Sequence, residues 1–156
     1  MRLKIDKFLT GMLVIILGIL VLDVIWQVAT RYLLADPSKF TDELAGFLLI
    51  WVGLLGAAYV TGQKQHLAID LLVRKTTGKK KAILMLAINF FILLFAVAVM
   101  IIGGTWLVYT RFYLGQTSAA LEIPLGYVYM VLPLSGLFIV YFAIDNSIPE
   151  IKKIWK

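Results

Sequence analysis

Four long apolar runs alternate with short polar segments along the chain, from about Phe8 to Tyr32, Leu44 to Thr61, Ala82 to Tyr109 and Leu125 to Ile144. Each is close to or longer than the roughly 20 residues of helix that cross about 30 Å of hydrocarbon. None shows the period-two alternation of a half-buried strand. In lipid, backbone N–H and C=O groups find no water and must bond within the segment, so the runs are expected to be helices. Local signals adjust their ends. Asp36-Pro37 reads as an N-cap followed by proline at the first helical position, so the second helix would start near residue 37. Its lead-in would carry Asp42 and Glu43, two acids suited to a positive helix terminus. Pro124 marks the start of the fourth helix, whereas Pro133 falls inside it, removes a backbone donor and is expected to kink it. The expectation is an all-α integral membrane protein: a single four-helix transmembrane domain over residues 1–156, with helices at about 8–32, 37–61, 82–109 and 125–144.

Lysine and arginine give the orientation. Three precede the first run, six lie between Gly62 and Lys81, and three follow the last run; the other two connections carry only Arg31, Lys39 and Arg111. Twelve against three places both termini and the middle connection in the cytoplasm, because basic residues are retained on that side. Trp26, Tyr32, Trp106, Tyr109, Tyr113 and Tyr127 gather at the opposite ends of the runs, as an interfacial belt would. In the middle connection, Leu67, Ile69, Leu71, Leu72 and Val73 are interleaved with Asp70 and followed by basic residues, the pattern of a short interfacial helix. Arg2, Lys4 and Lys7 ahead of an apolar run resemble a secretory signal, but the run is too long and no small-residue cleavage site closes it. It is read as the first span.

Composition narrows the chemistry. With 62% hydrophobic and 15% charged residues, the chain is far more apolar than soluble domains, which are roughly half apolar and a quarter charged. The formal charge of +6 flanks apolar runs rather than following a groove-binding element, so lipid is the expected partner and nucleic acid is not. The absence of cysteine excludes disulfides, thiolate chemistry and cysteine-ligated metal within the chain. The single histidine, His66, cannot ligate haem on both faces, which argues against a cytochrome-type anchor of a respiratory complex. No phosphate-binding glycine loop, nucleophile elbow, HExxH helix or catalytic carboxylate pair is present, so neither enzymatic activity, cofactor nor metal is expected.

The remaining polar residues are few. Asp23, Gln27 and Arg31 are spaced by four and share one stripe of the first helix. An ionisable residue at membrane depth is a functional candidate. The structural alternative is that Arg31 snorkels to the interface while Asp23 and Gln27 bond to neighbouring helices; a third is contact with another subunit. A relay role for Asp23 lacks a second buried carboxylate. Asn89 suits an interhelical hydrogen bond, and Gly46, Gly53 and Ala57 form a small-residue face on the second helix that permits close helix packing. Arg31, Asp42 and Glu43 cluster near one end of the first two helices, where Arg31 is expected to face Asp42 or Glu43. A four-helix multidrug exporter also has a membrane carboxylate, but members that insert both ways carry little charge bias, unlike this chain. No internal repeat of the kind that builds inverted-repeat transporters is visible.

Several segments in order resemble the small membrane subunit of tripartite ATP-independent periplasmic (TRAP) transporters, the DctQ-like family. They are Trp26-Gln27-Val28 with Arg31-Tyr32; Phe40-Thr41-Asp42-Glu43-Leu44-Ala45; Trp51 with Gly53 and Gly56-Ala57-Ala58; His66 through Leu72; and Ile123 through Tyr129 with Leu132-Pro133. The match spans nearly the whole chain. It departs at Gly46, where many relatives carry a larger, often basic residue, so an external contact through that side chain is not carried over. The resemblance implies a multi-pass protein of the bacterial inner membrane. It also implies two partners, a large membrane subunit that carries substrate and sodium and a soluble periplasmic binding protein. The small subunit would brace the large one and help form the docking surface for the binding protein, in uptake of organic acids of the C4-dicarboxylate or sialic acid class.

Overall fold

The computed structural model describes residues 2–33, 38–63 and 79–154. All the regular elements described are helical: α1 (Arg2–Leu33), α2 (Lys39–Gly62), α3 (Lys79–Phe95), a π-helical stretch Ala96–Gly103, α4 (Gly104–Tyr113), α5 (Leu125–Tyr129) and α6 (Val131–Ile154). Four helical stretches are long and apolar enough to cross a membrane, at Arg2–Leu33, Lys39–Gly62, Lys79–Tyr113 and Leu125–Lys152. The all-α, four-span architecture expected from the apolar runs is therefore observed. The helices overrun their apolar runs. Backbone hydrogen bonding continues into polar ends where hydropathy stops, so α1 begins at Arg2 rather than Phe8, and the third span covers Lys79–Tyr113 rather than 82–109. The fourth runs to Ile154, not Ile144, through Asp145, Asn146 and Pro149.

The expectation about Pro133 changes. The break in the fourth span falls at Met130, between α5 and α6, and Pro133 sits in the first turn of α6. A proline in that turn has no N–H to return to the carbonyl of Tyr129, so the preceding turn cannot propagate smoothly. Near the break, the Val128 carbonyl accepts a hydrogen bond from the Trp51 indole at 3.0 Å, as membrane-depth backbone requires. At the start of α2, capping comes from Ser38: its hydroxyl accepts from the Thr41 N–H at 3.4 Å, and its carbonyl accepts from the Thr41 hydroxyl at 3.0 Å. Asp36-Pro37, the interfacial stretch of the middle connection and His66 lie outside the described residues.

The chain divides into two compact units, residues 1–56 with 106–131 and residues 57–105 with 132–156. In the first, Leu9, Leu55, Val128 and Val131 are buried, together with Asp23, Thr30, Thr41 and Ser118. Much of the apolar surface of α1 faces outward, including Val14, Ile15, Leu22 and Ile25, as expected of a helix whose solvent is lipid. Trp26, Trp106, Tyr109, Tyr113 and Tyr127 are all more than half exposed, in keeping with an interfacial belt. The second unit is packed around Ala82, Ala96, Met100, Ile139, Phe142 and Ala143. Its tightest seam joins the third and fourth spans through glycine. A Cβ on Gly104 would lie 2.9 Å from the Leu132 Cβ, and one on Gly136 would lie 2.9 Å from the Met100 Cβ. Absent side chains let the two backbones approach, the usual device for packing helices in lipid.

Within the third span, the Gly104 N–H reaches the Val99 carbonyl five residues back, the wider turn that defines the π stretch. Ala96, Met100 and Gly104, spaced by four, are all buried. The other end of α6 is tied to α2 by Asn146, whose amide donates to the Thr61 carbonyl at 2.9 Å. Beside that bond, a Cβ on Gly62 would lie 3.0 Å from the Phe142 ring.

Candidate functional site

The most organised polar feature is the connection between α4 and α5, and it begins with a glycine. Gly115 adopts φ +59, open to glycine without the steric cost other residues bear. Its N–H bonds the Phe112 carbonyl at 3.1 Å, and the Gln116 N–H bonds the Arg111 carbonyl at 3.1 Å. That pair is a Schellman motif, which satisfies the last carbonyls of α4 and turns the chain away. The chain then doubles back: Ser118 N–H bonds the Ile123 carbonyl and Leu125 N–H bonds the Gln116 carbonyl, each at 2.9 Å. The rungs flank a bridge between Thr117 and Pro124.

The four-residue tip, Ala119 to Glu122, has its own backbone donors turned toward one carboxylate. Glu43, in the first turns of α2, accepts from the N–H of Ala119 at 3.0 Å, Ala120 at 2.8 Å and Leu121 at 2.9 Å. Successive N–H groups converging on an anion form a nest, and here the anion is supplied by the protein itself. Glu122 completes the tip with φ 54, a left-handed conformation unusual for a residue with a side chain. Its carboxylate is exposed. Arg111 supports the base of the loop from α4. Its guanidinium donates to the Gln116 side chain and lies 5.5 Å from the centre of the Tyr129 ring, within cation–π range. The loop is thus a fixed shape held from both sides.

The acids near the start of α2 have partners other than the one expected. Asp42 accepts from the Gln27 amide at 2.7 Å, linking α1 to α2, and Glu43 is engaged by the loop. Arg31 is exposed, and no ion pair from it is found among the described residues. The anticipated pairing of Arg31 with Asp42 or Glu43 is therefore replaced by a Gln27–Asp42 bond and a Glu43–backbone nest. Asp23 is buried, with Oδ2 left without a partner among the described residues. Asn89 is also buried, at 8% exposure. On α2, a Cβ at Gly46 or Gly53 would meet nothing within 4 Å, and Ala57 is exposed; this face is uncovered by the described chain. Sequence reading missed Asn146, because the fourth helix was expected to end at Ile144. It also missed the nest; Gly115 and Pro124 were the available turn signals, but neither names an acceptor.

No group of three or more histidine, cysteine, aspartate or glutamate residues suited to a metal ion is found among the described residues. Among the described residues, a groove of about 410 Å³ lies in the second unit and one of about 390 Å³ in the first, and both are lined mainly by apolar side chains. Neither lining includes a cation that would match an organic acid.

Residues 20–153 match the model of the family described as tripartite ATP-independent periplasmic transporters, DctQ component. Among curated relatives, the sialic acid TRAP transporter small permease protein of Vibrio cholerae is 27% identical over 121 residues, 78% of this chain and 68% of that protein. A protein of Haemophilus influenzae named as a TRAP transporter small permease is 26% identical over 147 residues, 94% and 89% of the respective chains.

Proposed function

Because this chain belongs to the DctQ component family of tripartite ATP-independent periplasmic transporters, we propose that it braces the large membrane subunit and presents the Glu43-held loop to the periplasmic binding protein. The chain is a small permease subunit of the bacterial inner membrane. That placement sets aside the exporter and respiratory-anchor readings. Both termini and the middle connection lie in the cytoplasm on the charge count, which puts the α4–α5 connection and the start of α2 on the periplasmic side.

The observation that carries the docking role is the nest. A loop clamped by three bonds to one carboxylate keeps its shape without a partner, and a preorganised surface loses less entropy on binding. The exposed Glu122 and Arg31 lend it charge of both signs. This subunit catalyses no reaction and holds no substrate; the large subunit carries the organic acid and its coupling sodium ions. The relative named for sialic acid supports sialic acid as the substrate class, with a C4-dicarboxylate as the alternative.

The test is uptake into liposomes containing this chain, the large subunit and the binding protein, with labelled sialic acid and a C4-dicarboxylate as alternative substrates. One of the two should accumulate when an inward sodium gradient is imposed and stay at background when potassium replaces sodium. Accumulation that ignores sodium would refute the coupling, and transport of neither acid would refute the substrate class.

A further inference from the structure

In the second unit a lateral groove runs between α3 and α6. It encloses about 410 Å³, and its lining includes Leu86, Asn89, Phe90, Ile144, Ile148 and Ile151. Phe90, Ile144, Ile148 and Ile151 are each about half exposed, so the groove opens sideways rather than into the protein. The Asn89 side chain is buried among these apolar groups, and no hydrogen-bond partner for its amide is found among the described residues. The amide atoms of Asn89 are not sealed from the groove, so they offer a hydrogen bond to whatever fills it.

Charge identifies the occupant. The third and fourth spans run antiparallel: Gly104 sits against Leu132 and Gly136 against Met100, so lower numbers on one pair with higher numbers on the other. By the same register, the start of α3 lies at the end of the groove where α6 reaches Ile151 and Lys152. That end carries the exposed Lys79, Lys80, Lys81 and Lys152. The nearby acids on α6, Asp145 and Glu150, each already have a partner. Asn89 is ten residues beyond Lys79, about 15 Å along the helix, a distance that a lysine side chain and a glycerophosphate group together span.

We propose that this groove binds an anionic phospholipid, its phosphate held by Lys79, which shares the groove face of α3, and by Lys152, with Lys80 and Lys81 adding positive potential around the mouth, and one acyl chain lying along Phe90, Ile144 and Ile148. The Asn89 amide meets an ester carbonyl of the glycerol directly or through one water. A basic mouth above an apolar cleft between helices is the arrangement that selects acidic headgroups; a zwitterionic lipid would fill the cleft but gain less from the lysines.

Native mass spectrometry of the purified full-length chain, incubated with dioleoylphosphatidylglycerol or dioleoylphosphatidylcholine, tests this. The wild-type chain should retain one phosphatidylglycerol with a preference of at least about fivefold, the factor that a single surface lysine contributes. The variant K79Q/K80Q/K81Q/K152Q should bring the preference below about twofold, since it removes all four lysines that supply that attraction. Ile148→Trp, at a half-exposed position, should fill the cleft and remove the bound lipid while the chain stays folded. Equal retention of the two lipids by the wild type would overturn the proposal, as would unchanged binding in both variants. So would cross-linking of a cysteine at Ile148 to the large subunit in the assembled transporter, which would put a protein helix in the groove instead.

Discussion

Glu43→Gln is expected to lower uptake by the assembled transporter roughly tenfold, because it removes a charge-assisted acceptor that organises three donors at once. The amount of membrane-inserted protein should stay close to wild type. The carboxylate uses one oxygen for Ala119 and the other for Ala120 and Leu121. A glutamine keeps one oxygen and turns an NH2 group, itself a donor, toward the remaining N–H groups. The loop tip then loses its shape while α2 still inserts. Asp42→Asn is the matched control: its retained oxygen can still accept from the Gln27 amide, so uptake should be near normal. Faster hydrogen exchange at Ala119–Leu121 in the glutamine variant would tie the loss to the loop. Normal uptake by Glu43→Gln would remove the nest from the docking surface.

A second large effect is expected at the seam between the third and fourth spans. Gly136→Leu should sharply reduce the melting temperature and the yield of monodisperse protein. The new Cβ would sit 2.9 Å from the Met100 Cβ, 3.0 Å from the Ile101 Cγ1 and 3.4 Å from the Ala96 carbonyl. Two of these atoms belong to backbone or to the root of a side chain, which cannot swing aside, so the helices must separate; overpacking of this kind costs about 1–3 kcal/mol. Gly104→Leu should behave alike, for Leu132 and Pro133 stand equally close. Gly53→Leu is the contrast, since nothing lies within 4 Å of its Cβ position. Its melting should match wild type in the isolated chain. A Gly136→Leu profile superimposed on wild type would show slack at the seam that the distances do not allow.

These contrasts show what one sequence reveals. The four spans were legible because lipid demands long apolar helices, and that demand is written in composition. Helix ends were less legible: hydrogen bonding carried α6 ten residues past the apolar run, which concealed Asn146 and its bond to α2. Glycines were visible, but their work was not. Gly46, Gly53 and Ala57 have the spacing of a packing face yet lie open, while Gly104 and Gly136 make the close contact; only the three-dimensional pairing of helices separates the two sets. Asp42 and Glu43 were recognisable as acids at a helix start. The role of Glu43 as an acceptor depended on a backbone conformation some 76 residues away, which pattern reading cannot supply.

The central claim is that this chain acts as a support for transport performed by another subunit. Its most direct test is omission: sodium-driven uptake measured in liposomes holding the large subunit and the binding protein, with and without this chain, and in liposomes holding this chain alone. The account predicts full uptake only when all three proteins are present and background uptake by this chain by itself. Undiminished uptake without it, or accumulation of the organic acid by this chain alone, would contradict the account.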